Sequence, residues 1–173
     1  MLLQDERVDP SDNENYAIQL ASRTGHLAIV QRLLQDQRVD PSYFEDVEDY
    51  PIQVAAEYGH TDVVRLLLQD ARVDPSVEQN YALRVASENG HTSVVRLLLL
   101  DERVNPSDEP DDSIISNTAY HDRIDIVHLL LQDPRVDPAF AIEGAKKGGR
   151  RLSNIADMIR ERYFFDQADV TAD

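Results

Sequence analysis

Three histidines, His26, His60 and His91, recur in this 173-residue chain at steps of 34 and 31, each directly after a glycine. Imidazoles in register are the first groups to weigh as metal ligands. Packed helices lie about 10 Å apart, whereas two ligands of one zinc ion each sit about 2 Å from it. A ladder with that spacing cannot share an ion, so the three are read as structural side chains at the start of a helix. His121 and His128 stand off the ladder, and His121 is expected to project from its helix as a partner contact.

Two acidic runs, Glu45-Asp46-Val47-Glu48-Asp49 and Asp108-Glu109-Pro110-Asp111-Asp112, raise calcium binding. Neither has the D-x-[DN]-x-[DN]-G loop with a distant glutamate that such a site needs. They are read as solvated loops or as surfaces for a basic peptide. Five arginines, Arg7, Arg38, Arg72, Arg103 and Arg135, each follow an aspartate by two places, and four of them precede another aspartate by two. Arginine pairs strongly with carboxylates, which predicts a ladder of pairs between neighbouring loops, with capture of phosphate or acidic peptide as the alternative. The chain has no cysteine, no G-x-S-x-G, no phosphate-binding glycine loop and no Ser/His/Asp grouping. The expectation is a non-enzyme with no catalytic residue, metal or cofactor.

What positions these residues is a tandem array. The phrase LLQDERVDPS from Leu2 returns from Leu33, Leu67, Leu98 and Leu130, and NYAIQLASRTGHLAIVQRLL from Asn15 returns from Asp49, Asn80 and, degraded, Asp112. In the third copy Ala82, Leu83, Val85 and Ala86 form one apolar cluster and Val94, Val95, Leu97, Leu98 and Leu99 another, both with helical spacing. Asn15, Asp49, Asn80 and Asp112 are the expected N-caps of the first helix, since their side chains can accept free amide hydrogens. The glycine ends that helix, and the second is expected to run to Asp101 or its counterparts. Pro10, Pro41, Pro75, Pro106 and Pro138 forbid further helix. One helical pair of about thirty residues cannot keep its apolar side dry alone, so the pairs must stack.

These units resemble the ankyrin repeat. Its T-P-L-H-x-A-A-x-x-G-H pattern is matched best by Tyr50-Pro51-Ile52-Gln53-Val54-Ala55-Ala56-Glu57-Tyr58-Gly59-His60. Tyr16, Tyr50 and Tyr81 replace the threonine, and Gln19, Gln53 and Arg84 replace the histidine of T-P-L-H, so the bond between those two family residues is missing. The resemblance implies an all-α helix-turn-helix repeat solenoid over residues 1–173. Its expected parts are a partial repeat at 1–14, repeats at 15–48, 49–79, 80–111 and 112–138, and a capping repeat at 139–173. The start inside a unit means either a fragment or a minimal cap. At the other end Leu152, Ile155, Ala156, Ile159 and Tyr163 share one face of a last helix, and Phe164 and Phe165 either fold back on it or stay exposed for docking.

In ankyrin stacks partners meet the concave face, lined by the fingers and by the two variable places before Gly-His. Carried onto this chain, these are Arg23 and Thr24, Glu57 and Tyr58, Glu88 and Asn89, Tyr120 and His121, with Tyr43 and Phe44 in the longest finger. The formal charge is −16, and all the excess lies in the repeats: residues 1–139 hold 27 acidic and 11 basic side chains, residues 140–173 six of each. Such a field repels nucleic acid and anionic membranes and attracts basic partners. The expected function is therefore protein-protein interaction with a basic segment, by a monomer that binds neither nucleic acid nor membrane. The alternatives are an acidic nucleic-acid mimic that blocks a DNA- or RNA-binding protein, and a scaffold fragment of a larger adaptor. No apolar run of eighteen residues and no secretory signal is present, from which an intracellular, cytoplasmic protein is expected.

Overall fold

The computed structural model describes residues 9–42, 50–107, 114–149 and 155, and all its elements there are α-helices. The chain forms two compact units, Met1–Asn105 and Pro106–Asp173. The first contains α1 (Asp12–Arg23), α2 (Leu27–Leu34), α3 (Pro51–Glu57), α4 (Thr61–Leu67), α5 (Val77–Asn89) and α6 (Thr92–Leu98). The second contains α7 (Ile114–Tyr120), α8 (Ile124–Leu130) and α9 (Pro138–Lys147).

In the first unit the helices form three antiparallel pairs. First helices pack in the row α1, α3, α5 and second helices in the row α2, α4, α6. The middle pair has a neighbour on both sides, and the consequence is visible in α3, where Pro51 through Ala56 are all buried. Even the polar Gln53 is only 1% exposed, and its Nε2 donates at 3.4 Å to Oε2 of Glu78 in the next repeat. Gln53 thus ties two repeats together from the place where the ankyrin pattern has histidine. In the second rows Val64, Leu67, Val95 and Leu98 are fully dry. Leucine and valine at three- and four-residue spacing put one apolar stripe per helix into this shared core.

Every pair turns in the same way. His26, His60, His91 and Arg123 occupy the N-cap positions of α2, α4, α6 and α8. Their backbone N–H groups donate back to Ala21, Ala55, Ala86 and Thr118 at 2.8–3.1 Å, closing the end of the preceding helix. That closure needs a left-handed residue just before, supplied by Gly59 at φ +74 and its counterparts, and by Asp122 at φ +61 in the second unit.

Three expectations need correction. The asparagines do more than mark the starts of the first helices. Asn15 and Asn80 sit in left-handed backbone (φ 60 and 61), and in α5 Glu78, Gln79 and Asn80 all have positive φ, so a left-handed turn after Ser76 leads into the right-handed helix that starts directly after Asn80. Both asparagines are buried, and their Oδ1 atoms accept the backbone N–H groups of Asp40 and Asn105, 25 residues on, at 2.9 and 3.1 Å. A buried loop N–H without a partner costs more than an exposed helix end that water can serve, so the side chain goes to the loop. In the second copy Tyr50 stands at the N-cap and Pro51 at the first helical position, so Asp49 is not the cap; Asp49 itself and Asp112 lie outside the described residues. The second helices are also shorter than expected, ending at Leu34, Leu67, Leu98 and Leu130 rather than at the aspartates.

The arginine ladder is the third correction. Among the described residues each of these guanidinium groups forks onto the aspartate two places earlier in its own loop, not onto a carboxylate of a neighbouring loop. Arg38, Arg72, Arg103 and Arg135 place Nε at 2.9 Å and Nη2 at 2.6–2.7 Å from Asp36, Asp70, Asp101 and Asp133. The same guanidinium groups also cross between repeats: Arg72 Nη1 donates to the Val39 carbonyl at 2.7 Å and its Nη2 to the Leu34 carbonyl at 3.2 Å, and Arg103 Nη1 donates to the Val73 carbonyl at 2.8 Å. A two-residue spacing lets both groups share one tight turn, leaving the outer N–H to collect a carbonyl of the previous loop. The second aspartates serve the turns instead, Asp40 and Asp74 accepting the N–H and hydroxyl of Ser42 and Ser76 at 2.6–2.9 Å.

These forks predict an acid-sensitive fold. Asp36 is lowered to about 2, chiefly by the hydrogen bonds from the Arg38 side chain, and Asp70, Asp101 and Asp133 are lowered by the same cause from their own arginines. A depressed carboxylate stabilises the fold above its unfolded value of about 4 and withdraws that stability as pH falls through the folded value. Urea midpoints are therefore expected to hold from pH 7 to about 4.5 and to drop between about pH 4 and 2. Asp70→Asn should flatten that drop, and an unchanged slope would remove the fork from the account.

Candidate functional site

Of the positions singled out for partner contact, all but Tyr43 and Phe44 lie at the end of a first helix, where the chain turns. Tyr58 occupies the C-cap of α3, is 52% exposed, and stacks on the His60 ring with centroids 6.5 Å apart and planes 13° from parallel. His60 is itself fixed: its Nε2 donates to the Arg23 carbonyl at 2.8 Å. The tyrosine face is thereby held from below by a ring that is tied to the preceding repeat.

The next repeat reproduces that tie. His91 Nε2 donates to the Glu57 carbonyl at 2.8 Å, and Asn89 Nδ2 reaches the same oxygen at 3.3 Å. Because a carbonyl only accepts, both imidazoles carry their proton on Nε2. The histidine ladder is thus an interlock between repeats. Among the described residues no group of His, Asp and Glu is placed to hold a metal ion.

Thr24 is exposed and points back, its hydroxyl donating to the Leu20 carbonyl at 2.7 Å while its oxygen accepts from His26 Nδ1 at 2.6 Å. Arg23, Glu57 and Glu88 are half-buried, and Asn89 is exposed. The structure therefore brings together, along α1, α3 and α5, the six variable residues Arg23, Thr24, Glu57, Tyr58, Glu88 and Asn89. In the second unit Tyr120 is 47% exposed and meets His121 edge-on at 5.1 Å. Tyr43 and Phe44 lie outside the described residues, as do both acidic runs, Phe164 and Phe165, and all of the predicted last helix except Ile155, which is buried.

Two surfaces were not anticipated. Between α2 and α4 an open groove of about 220 Å³ is lined by Leu27, Gln31, Asp62, Arg65, Leu66 and Gln69, on the second helices rather than at the variable positions. The other lies on the first pair, where Tyr16, Leu20, Leu27 and Ile29 are all more than a third exposed. A comparison of aligned positions could have flagged it only with burial in hand, since Leu20 and Ile29 look like core residues in the repeat pattern.

A family model of ankyrin repeats matches the sequence in three overlapping copies, over residues 1–79, 18–109 and 54–141. The chain belongs to the ankyrin-repeat family. Ankyrin repeats generally mediate protein-protein interaction, and ankyrin-repeat proteins are typically non-catalytic modules. No curated protein matches the sequence. The all-helical pairs described above are the ankyrin helix-turn-helix unit. No helix among the described residues is long and apolar enough to cross a membrane.

Proposed function

We propose that the first unit is a non-catalytic binding module that grips a basic protein segment along the ends of α1, α3 and α5. The observation that carries this reading is Tyr58: a large, half-exposed ring stacked on His60, with Glu57 before it in sequence and Glu88 near the end of the next first helix, in a chain of charge −16. A rigid aromatic loses little freedom on binding and is a common hot spot, while carboxylates steer and select a cationic partner. Asn89 and Thr24 add polar contacts at the rim. Tyr120 and His121 offer a second aromatic pair on the other unit, and Tyr43 and Phe44 extend the same reading to the long finger.

A fluorescent lysine-rich peptide is the direct probe, titrated at two salt concentrations. Tyr58→Ala is expected to weaken binding about tenfold, and the double change Glu57→Gln/Glu88→Gln to weaken it less but to remove most of the salt dependence. Binding that survives all three changes would remove this surface from the account. Displacement of the peptide's protein counterpart by duplex DNA would instead mark the acidic surface as a nucleic-acid mimic.

A further inference from the structure

The second helices of the first unit carry cations that the fold does not use. Arg23, Arg32, Arg38, Arg72, Arg84 and Arg103 all have partners within the chain, among them the forks described above, the Tyr81 ring under Arg84 at 4.9 Å and the Gln35 amide oxygen at 3.3 Å from Arg32. Arg65 in α4 and Arg96 in α6 are exposed, and no hydrogen bond, ion pair or ring contact engages either. The first unit holds no lysine, so among its described residues these two are the free cations. They occupy the same place in consecutive repeats, on helices that pack side by side, which puts them about 10 Å apart.

A second, independent observation is apolar and lies beside the arginines. Leu100 stands one turn after Arg96, where Gln35, Gln69 and Gln132 stand in the other copies. It is 77% exposed, the most of any large apolar side chain among the described residues. Leu66 and Leu97, half-buried next to Arg65 and Arg96, continue the apolar surface toward the open groove that α4 shares with α2. The carboxylates at the borders are Asp62, exposed at the start of α4, and Glu102, exposed in the turn after α6; at the place of Asp62, α6 has Ser93.

We propose that this face of α4 and α6 docks an amphipathic acidic helix of another polypeptide, with a carboxylate opposite each arginine and aliphatic side chains against Leu97 and Leu100. Charge complementarity selects the sign: a guanidinium takes a carboxylate in a fork, as Arg38, Arg72, Arg103 and Arg135 already do on their own aspartates. Spacing selects the helix. Residues seven apart lie on one helical face about 10 Å from one another, matching the two arginines, and the residues three and four places on lie between them on the same face. Asp62, Glu102 and the charge of −16 reject a segment that is acidic throughout, so the carboxylates must be spaced. This surface is separate from the variable residues that end α1, α3 and α5, and failure of either leaves the other intact.

The probe is a fluorescein-labelled peptide of repeated Glu-Ala-Gln-Leu-Leu-Ala-Gln, titrated against the full chain by fluorescence anisotropy. Saturable binding is expected, and a control peptide with glutamine at every leucine should bind at least about tenfold more weakly, because it has no apolar side chain to bury. Arg65→Gln/Arg96→Gln should weaken the leucine peptide about tenfold by removing both pairs. Leu100→Gln, the residue of the other copies, should weaken it about fivefold. All three side chains are exposed, so circular dichroism of both variants should match the parent. Tyr58→Ala should leave the affinity unchanged. No saturable binding, equal binding of the leucine-free control, or an affinity indifferent to the arginine pair or to Leu100→Gln would each overturn the proposal. Displacement of the peptide by duplex DNA would overturn it as well, by making the two arginines a phosphate contact.

Discussion

Gly144→Ala is expected to destabilise the second unit by about 3 kcal/mol, although helix propensity alone predicts the opposite sign. Alanine is the better helix former by about 1 kcal/mol, and Gly144 lies inside α9 in ordinary helical backbone. The added methyl, however, would overlap the Ser116 carbonyl of α7, with the Ser116 Cα only 2.8 Å away. These are backbone atoms that cannot rotate aside, so the two helices must separate along the most extensive helix contact in the unit. Overpacking of this kind costs roughly 1–3 kcal/mol and occasionally more; a contact against backbone belongs at the upper end. Urea unfolding of the full chain followed by circular dichroism should show the loss in the transition of the second unit. A neutral or stabilising Gly144→Ala would mean that α7 and α9 do not approach this closely. Glu143→Ala next to it, on the exposed side of α9, should change stability little, since it removes only a surface pair with Lys147 at 3.0 Å.

Much of the fold was legible because the repeat multiplies each signal. One Gly-His after a helical apolar cluster is weak evidence, but four aligned turns fix the period, and the structure places a left-handed residue and a helix start at each. What remained hidden was which N–H donor a polar side chain serves. Asn15 and Asn80 have the chemistry of an N-cap, yet they bond a loop N–H 25 residues away; local sequence cannot show that a distant buried donor lacks a partner. The arginine forks failed for the opposite reason. The expected partner was placed in the neighbouring loop, although Asp36 and its counterparts were close enough in sequence to close the pair locally. Of the site, exposure of Tyr58 and Tyr120 followed from their place before the turn, whereas the support of Tyr58 by His60 and of His60 by Arg23 required coordinates.

The interlock that supports Tyr58 has an energetic signature of its own. Gly59 takes φ +74, and a methyl there would lie 2.6 Å from His91 Nδ1 and 2.8 Å from its Cε1. Gly59→Ala therefore suffers twice: about 1–2 kcal/mol for alanine in left-handed backbone, and about 1 kcal/mol for the Glu57 carbonyl that loses His91 as its ring is pushed off. A total of about 2–3 kcal/mol is expected. His91→Ala alone removes the hydrogen bond and costs about 1 kcal/mol. The double variant has no ring left to displace, so only the backbone strain is added, and the two single changes should exceed the double by about 1 kcal/mol. A cycle measured by urea unfolding decides the matter. If the single effects simply sum, the glycine serves its own turn and the histidine its own bond. If they overlap, each Gly-His step is a joint between consecutive repeats, and the surface that presents Tyr58 is held in shape by the same contact that keeps the stack together.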